Sequence, residues 1–237
     1  MVNLVGPKHS MYRAWMDFVY WRSQITKAFS FNKHSYSAAK EDIFLSSLFP
    51  EKVGSYLDIG AGHPVSGSNT YLFYKRGWKG ITIDPLKAMN LLHRFLRPRD
   101  IAIQAVISKE KGEVVLFEYN PTEYSTISVN HNDELRSQGF MPRRSYKVKS
   151  VELKSIIPSV SPKDPFFLSL DVEGSDLMVL NQLKELTARP RVVCVEQLTD
   201  VDEIKMLLSQ LGYRHLKSIG NNIIYIHKEF RDSRCDN

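Results

Sequence analysis

From Gly54 onward, short apolar runs bounded by Gly, Asp or Pro alternate with helix-length segments, and this alternation limits the possible folds more than any other feature. The runs are Tyr56–Ile59, Gly80–Ile83, Ile101–Val106, Phe166–Leu170 and Arg191–Val195. Between them lie helical candidates at Ser68–Arg76, Leu86–Phe95 and Ser175–Leu186. Strand–helix alternation predicts a parallel sheet with helices on both faces. Val201–Leu211 reads as a further helix, followed by strands at Tyr213–Lys217 and Ile223–His227. Gly220-Asn221-Asn222 between those two strands is a turn signal, so they should form a hairpin. The expected class is α/β.

A length of 237 residues with 43% apolar content suffices for one domain with a substantial core. We read residues 1–237 as a single domain, with N-terminal helices over 1–50, a core over 51–237 and an insertion at 113–150. In the first thirty residues, Tyr12, Trp15, Phe18, Val19 and Tyr20-Trp21 have roughly the spacing of an amphipathic helix packed on the domain. A second helix is expected from Tyr36 to Phe49, capped by Ser37, burying Ile43, Phe44 and Leu48, and ended by Pro50. The insertion interrupts the alternation with strand-like Val114–Tyr119 and Tyr146–Lys149, and is placed beside the substrate side of the sheet.

No run approaches the roughly 18–20 apolar residues of a membrane helix. Residues 1–10 lack the apolar core and cleavage pattern of a secretory signal. Cys194, in an apolar run, reads as a small buried hydrophobe, and Cys235 lies near the end of the chain. That usage suits a reducing cytosol, so a cytoplasmic location is expected. The net charge of +6 gathers partly in Arg97 with Arg99 and in Arg143, Arg144, Lys147 and Lys149. Neither cluster has the interleaved aromatics of a single-strand binding platform, which argues against nucleic acid as a partner.

In open α/β sheets, ligands sit beyond the carboxyl ends of the strands, where strand order reverses. The first run ends in Asp58-Ile59-Gly60-Ala61-Gly62-His63, and the second ends in Asp84-Pro85. Glycines there let the backbone approach a ligand, and an acid at the next strand end can accept hydrogen bonds from both ribose hydroxyls. A dinucleotide is disfavoured. Val65 stands where a third small residue would be needed, and Pro64 removes an N–H from any pyrophosphate cradle. A nucleoside cofactor without phosphates fits better.

Several blocks in order carry a more specific signal. They are Tyr36-Ser37, Glu41-Asp42-Ile43-Phe44-Leu45, Tyr56 through Pro64, Ser68-Asn69-Thr70, Phe73-Tyr74, Gly77-Trp78-Lys79-Gly80-Ile81, Ile83-Asp84-Pro85 and Asp171-Val172-Glu173-Gly174. Glu196, Leu211-Gly212-Tyr213 and Asn221 to Ile226 continue them. Together these blocks resemble the FkbM-like S-adenosylmethionine-dependent methyltransferases over roughly Tyr36 to His227. The departure is at Ala38-Ala39-Lys40, which replaces the usual Gln and Gly before the Glu-Asp pair.

The resemblance implies a Rossmann-like, seven-stranded, mostly parallel sheet with a C-terminal antiparallel hairpin. It also implies S-adenosylmethionine as methyl donor and a hydroxyl of a sugar, glycan or other small molecule as acceptor. Carried onto this sequence, Asp58, Gly60, Ala61 and Gly62 would line the methionine and sulfonium part, Asp84 would hold the ribose, and Ala105 and Val106 would flank the adenine. Asn69 is a further cofactor candidate, equally readable as a polar residue at a helix start. The family pattern also brings Glu41 and Asp42 over the site.

An alcohol is not ionised near neutral pH, so methyl transfer to it needs a base or a metal. The fourth run ends in Asp171, with Glu173 two residues on, and the fifth in Glu196-Gln197. Three readings stay open. Asp171, Glu196 and Gln197 would hold Mg²⁺ or Mn²⁺ and lower the hydroxyl pKa, a layout similar to metal-dependent catechol-type and macrolide-sugar O-methyltransferases. Alternatively Asp171 or Glu173, repelled by its neighbours, acts as a metal-free base. In the third, Glu173 simply charges a helix N-terminus. His63 is a further catalytic candidate, and Tyr124, Ser125 and Thr126 are candidate acceptor contacts. A nucleic-acid methyltransferase and a non-catalytic S-adenosylmethionine-binding module are the rival functions.

Overall fold

In the computed structural model, which describes residues 21–26, 34–157, 166–172, 174–196 and 201–230, the apolar runs form ten strands. These are β1 (Ser55–Ile59), β2 (Lys79–Ile83), β3 (Ile101–Ile103), β4 (Ala105–Ile107), β5 (Gly112–Glu118), β6 (Arg144–Val151), β7 (Phe166–Leu170), β8 (Val192–Glu196), β9 (Tyr213–Ile219) and β10 (Asn222–His227). The helices are α1 (Glu41–Leu48), α2 (Tyr71–Lys75), α3 (Lys87–Leu96), α4 (Val129–Ser137), α5 (Asp176–Asn181) and α6 (Val201–Gln210). Seven strands form one sheet in the order β3-β2-β1-β7-β8-β10-β9. Pairing is parallel throughout, except that β10 runs antiparallel to both β8 and β9. This is the sheet that the resemblance implies. The chain builds outward from β1 on one side and then returns to β7 on the other, so strand order reverses between β1 and β7.

Every residue of β7, Phe166-Phe167-Leu168-Ser169-Leu170, is buried, as a central parallel strand covered on both faces requires. Alternation sorts the core. Leu57, Ile59, Leu168, Leu170, Val193 and Val195 pack on one face with Val179 and Leu180 of α5 and Ile204, Leu207 and Leu208 of α6. Tyr56, Phe167, Val192, Cys194 and Ile224 pack on the other with Leu45 and Leu48 of α1, Phe73 of α2 and Trp78. Ring centroids there lie 4.6 Å apart for Phe73–Phe167 and 5.3 Å for Phe49–Trp78. Gly80 makes room for this packing, because a Cβ at that position would stand 2.0 Å from the Tyr56 ring.

Three expectations need correction. The run Ile101–Val106 is not one strand. Ile101–Ile103 pairs with β2, whereas Ala105–Ile107 pairs with β6 in a second sheet of order β4-β6-β5. The break falls at Gln104, whose side chain donates to Pro85 O at 3.2 Å. The insertion is therefore bonded to the core through β4, and Leu116 and Val148 pack with Val106, Leu86, Met89 and Leu92.

Second, the expected helix Tyr36–Phe49 begins only at Glu41, after Lys40 in a left-handed conformation (φ 70°). Asp42 holds the preceding turn, accepting from Ser35 Oγ (2.7 Å), Tyr36 N (2.7 Å) and Ser37 Oγ (2.9 Å). Ser37 Oγ also accepts Asp42 N at 3.2 Å, so it bonds the first turn of α1 as expected, but from outside the helix. The buried positions of α1 are Glu41, Asp42, Leu45 and Leu48, while Ile43 is 41% exposed. Third, Arg97 is no surface charge. It is fully buried and paired with buried Asp100 at 2.7 Å. In the other basic cluster, Arg144 caps buried Glu118 with two 2.9 Å bonds.

The expected aromatic helix of the first thirty residues lies outside the described residues apart from 21–26, which are helical. Among the described residues no helix is long and apolar enough to cross a membrane. Because Phe167 contacts rings on several elements of one cluster, Phe167→Ala should cost about 3–5 kcal/mol of stability. Urea denaturation checks this value; a loss under about 1 kcal/mol would show that the cluster contributes little.

Candidate active site

The site begins where β1 ends. Gly60 adopts φ 73°, and its N–H and that of Ala61 both donate to Ile83 O of β2, at 2.9 and 3.1 Å. Asp171 N donates to Ile59 O at 3.0 Å, which brings the end of β7 against the same turn. A Cβ on Gly60 would lie 1.6 Å from Asp171 O, so only glycine permits this approach.

Asp84 follows β2 and is 5% exposed. Its Oδ2 accepts from Gly62 N at 2.8 Å and its Oδ1 from Leu86 N at 2.7 Å. Burial pushes the carboxyl up to about 7; the two backbone N–H groups pull it down, and the charges of Asp58 and Glu118 add to the rise. The Gly62 peptide is also held on its other side, because its oxygen lies 3.1 Å from His93 Nε2 on α3. Burial keeps His93 well below the ordinary imidazole range, so the ring is neutral and its Nε2–H donates.

These elements enclose a cavity of about 800 Å³, within the range of small-molecule sites. Its wall includes Gly60, Gly62 and His63 from the turn, Asp84 with Leu86 and Met89, Ala105 to Ile107 from β4, and Asp171 with Ser175 beyond β7. The insertion supplies Thr122 and Ser125 to Ser128. Each of three hydroxyls there accepts a backbone N–H: Ser125 from Tyr119, Thr126 from Ser128, and Ser128 from His131.

His63 lines the cavity with both ring nitrogens engaged. Nδ1 accepts from Val65 N (3.1 Å) and Ser66 N (2.9 Å), which leaves the proton on Nε2 to be donated to Gln24 O at 2.9 Å. Asp58, Ala61, Asn69 and Glu196 stand outside the cavity wall. Asp58 points into a buried polar cluster, where Thr70 Oγ1 donates to it and the Arg97 charge opposes the effect of burial; its carboxyl still rises to about 6. Asn69 donates to Ser169 Oγ at 3.3 Å. Glu196 ends β8 one residue after Val195, which pairs with Leu170, so it stands opposite Asp171 in register, and it faces the same side of the sheet as Cys194. Glu173 and Gln197 lie outside the described residues.

Tyr124, an expected acceptor contact, is 40% exposed and lies against the Phe140 ring instead. Among the described residues no three His, Cys, Asp or Glu side chains gather as a metal would need. The sequence reading missed Gln24, Leu86, Met89 and Ser175. Leu86 and Met89 had a usable signal, being the first apolar residues of the helix that opens after Asp84.

The Methyltransferase FkbM domain matches residues 58–215, about two thirds of the chain. The chain belongs to the FkbM methyltransferase family. As such it is a methyltransferase of S-adenosylmethionine-dependent type, and the cavity beside Asp84 lies beyond the carboxyl ends of the strands, where strand order reverses.

Solved structures give distant likenesses. A TehB-like SAM-dependent methyltransferase from Corynebacterium glutamicum is 10% identical, with 94% of this chain and 100% of that chain covered, at a TM-score of 0.43. A SAM-dependent methyltransferase from Aquifex aeolicus is 11% identical, with 86% and 96% covered, at 0.41. The 1,6-didemethyltoxoflavin-N1-methyltransferase of Burkholderia thailandensis, solved with 1,6-didemethyltoxoflavin and S-adenosylhomocysteine, is 11% identical, with 95% and 91% covered, at 0.40. No curated protein sequence matches the chain.

Asp84 gives the apo protein a defined pH response. Its carboxyl ionises near 4 in the unfolded chain and at about 7 in the fold. Between those values the unfolded chain holds fewer protons, so stability falls as pH rises. The melting temperature of Asp84→Asn minus that of wild type should therefore increase from pH 4.5 to pH 8. A difference that stays constant across the range would refute the raised carboxyl.

Proposed function

We propose that this protein transfers the methyl group of S-adenosylmethionine to a hydroxyl of a sugar, glycan or other small molecule, with Asp171 as the base. The observation that carries the reading is the placement of Asp171, an exposed carboxylate on the cavity wall one residue beyond β7. The Gly60 turn fixes its backbone.

The cofactor fits the residues present. A carboxylate offers about four acceptor sites, and Asp84 commits one per oxygen to Gly62 N and Leu86 N. One more acceptor site on each oxygen suits a pair of ribose hydroxyls. Apolar Met89, Ala105 and Val106 beside it suit the faces of a base. The glycine turn leaves room for the amino-acid end.

S-adenosylmethionine, when bound, supplies a methyl carbon on a sulfonium whose departure leaves a neutral thioether. The carbon–sulfur bond breaks as the oxygen–carbon bond forms, and the hydroxyl proton passes to the Asp171 carboxylate. Holding the reactants in line is worth roughly 7–11 kcal/mol, and a positioned base adds about 10²–10⁴-fold. The insertion supports an oxygen-rich acceptor. Ser125, Thr126 and Ser128 each spend an oxygen lone pair on the backbone and keep the O–H to donate into the cavity. Gln197 of the expected metal set lies outside the described residues, and the mechanism is derived from Asp171 alone, with no step routed through a metal. His63, engaged at both nitrogens, holds the turn.

Three measurements test this reading. Asp84→Ala should weaken calorimetric binding of S-adenosylhomocysteine at least about 100-fold, the loss of two charge-assisted hydrogen bonds. Asp171→Asn should bind the cofactor product as wild type does yet turn over about 10²–10⁴-fold more slowly, and EDTA should leave wild-type turnover unchanged. Acceptors are found by following S-adenosylhomocysteine release with nucleotide sugars, oligosaccharides and RNA side by side. Wild-type protein that gives no binding heat sinks the cofactor assignment, and full turnover by Asp171→Asn sinks the base.

A further inference from the structure

The family match begins at residue 58, yet the cavity has a wall residue well before it. Gln24 belongs to the helical segment 21–26, lines the cavity and is 7% exposed. Two contacts fix this segment. The Gln24 carbonyl accepts the His63 Nε2 proton at 2.9 Å, and that ring is itself caged by the Val65 and Ser66 amides. Trp21 packs against the cluster containing Leu86, Met89, Leu92 and Val106. Positions 21 and 24 are one helical turn apart, so the Gln24 side chain shares a face with Trp21, which packs on the cluster in the cavity wall.

The position of Gln24 between those anchors decides which part of the ligand it meets. On one side is His63, next in sequence to Gly62, whose N–H sits on Asp84. On the other is the apolar cluster with Met89 and Val106, both in the cavity wall. That is the nucleoside end. A primary amide has an acceptor and two donors, and the Gln24 amide makes one long contact among the described residues, from Nε2 to Ser23 Oγ at 3.4 Å. Glutamine pairs with adenine through its amide, donor to acceptor and acceptor to donor, along the edge of the base.

We propose that Gln24 is a cofactor-binding residue that reads the adenine edge of S-adenosylmethionine, so that the segment 21–26 completes the cofactor pocket. His63 then acts as a positioning residue, tying that segment to the glycine turn. This inference rests on the cofactor reading above, and the two fail separately.

The experiment compares wild type, Gln24→Ala and Asp84→Ala by calorimetry with S-adenosylhomocysteine, and by competition with 5′-methylthioadenosine, which keeps the nucleoside and lacks the amino acid. Gln24→Ala should weaken both ligands by the same factor, about tenfold, with the melting temperature of the ligand-free protein unchanged. In wild type, S-adenosylhomocysteine should slow amide hydrogen exchange across residues 21–26, a readout that needs no variant to fold. Unaltered exchange in that segment while the residue 58–62 region becomes protected overturns the proposal. So does an affinity of Gln24→Ala equal to wild type, or a loss confined to the ligand bearing the amino acid. If wild type binds neither ligand, the cofactor reading falls and this inference falls with it.

Discussion

The site depends on one buried carboxylate shared between two backbone amides. Asp84 receives Gly62 N from the turn after β1 and Leu86 N from the entry to α3, and its own N–H donates to Ile103 O of β3. The ends of three strands thereby meet at one residue, two of its contacts through the side chain and one through the backbone. The turn, the start of α3 and the split between β3 and β4 are neighbours of this carboxylate, and the cavity is the space they leave. In the proposed function, a substitution at Asp84 would remove a ligand contact as well as free the backbone that shapes the pocket. The two effects reinforce one another.

A second polar cluster stands behind the turn and explains why Asp58 is turned away from the cavity. Arg97 donates through Nε to Asp100 at 2.7 Å, through Nη1 to Pro64 O and Ser68 Oγ, and through Nη2 to Tyr56 Oη at 2.8 Å and Thr70 Oγ1 at 3.0 Å. Thr70 in turn donates to Asp58. A buried guanidinium is tolerated when its donors are used, and removing one partner leaves a charge without compensation. Pro64 has no N–H of its own, but its carbonyl sits on Arg97. The same proline that argues against a pyrophosphate cradle therefore helps to hold the turn. Thr70 and Tyr56, which read as helix and core residues in the sequence, complete the cluster.

Much of this was legible in the residue pattern. The parallel sheet with helices on both faces follows from apolar runs spaced by helix-length crossovers, and the hairpin from Gly220-Asn221, since both signals are local; the seven-stranded sheet came from the family resemblance. Asp84 was legible because a strand-end acid has few other uses. What escaped depends on contacts far apart in sequence. Ile101-Ala102-Ile103-Gln104-Ala105-Val106 is a continuous strand by propensity, and only the presence of β6 draws its second half into another sheet. Lys40 ends in a left-handed conformation because Asp42 and Glu41 collect the donors of residues 35–39. Asp58 resembles a ligand residue by position, yet its orientation is set by Arg97, 39 positions onward. Arg97 looked like surface charge for the same reason, its partners being invisible to composition. Gln24 had no local signal at all. Its place in the wall comes from a histidine on a distant turn.

The raised carboxyl of Asp84 connects these levels. In the unliganded fold its charge is opposed by burial and by Asp58, and only two N–H groups favour it. Hydroxyl donors from a ribose stabilise the charged form and thus lower its pKa. In the proposed function, ligand binding would supply the hydrogen bonds that the empty pocket lacks, and below about pH 7 it would also expel a proton from the site. The cavity is thus least comfortable when empty and ionised. Both carboxylate oxygens already accept a backbone N–H, so an amide or an apolar side chain here would leave a buried donor without its partner. The same logic separates Asp84 from Asp171. The first is buried and fixed by two backbone N–H groups, and desolvation raises its carboxyl; the second is exposed just beyond β7, as the proposed base role requires.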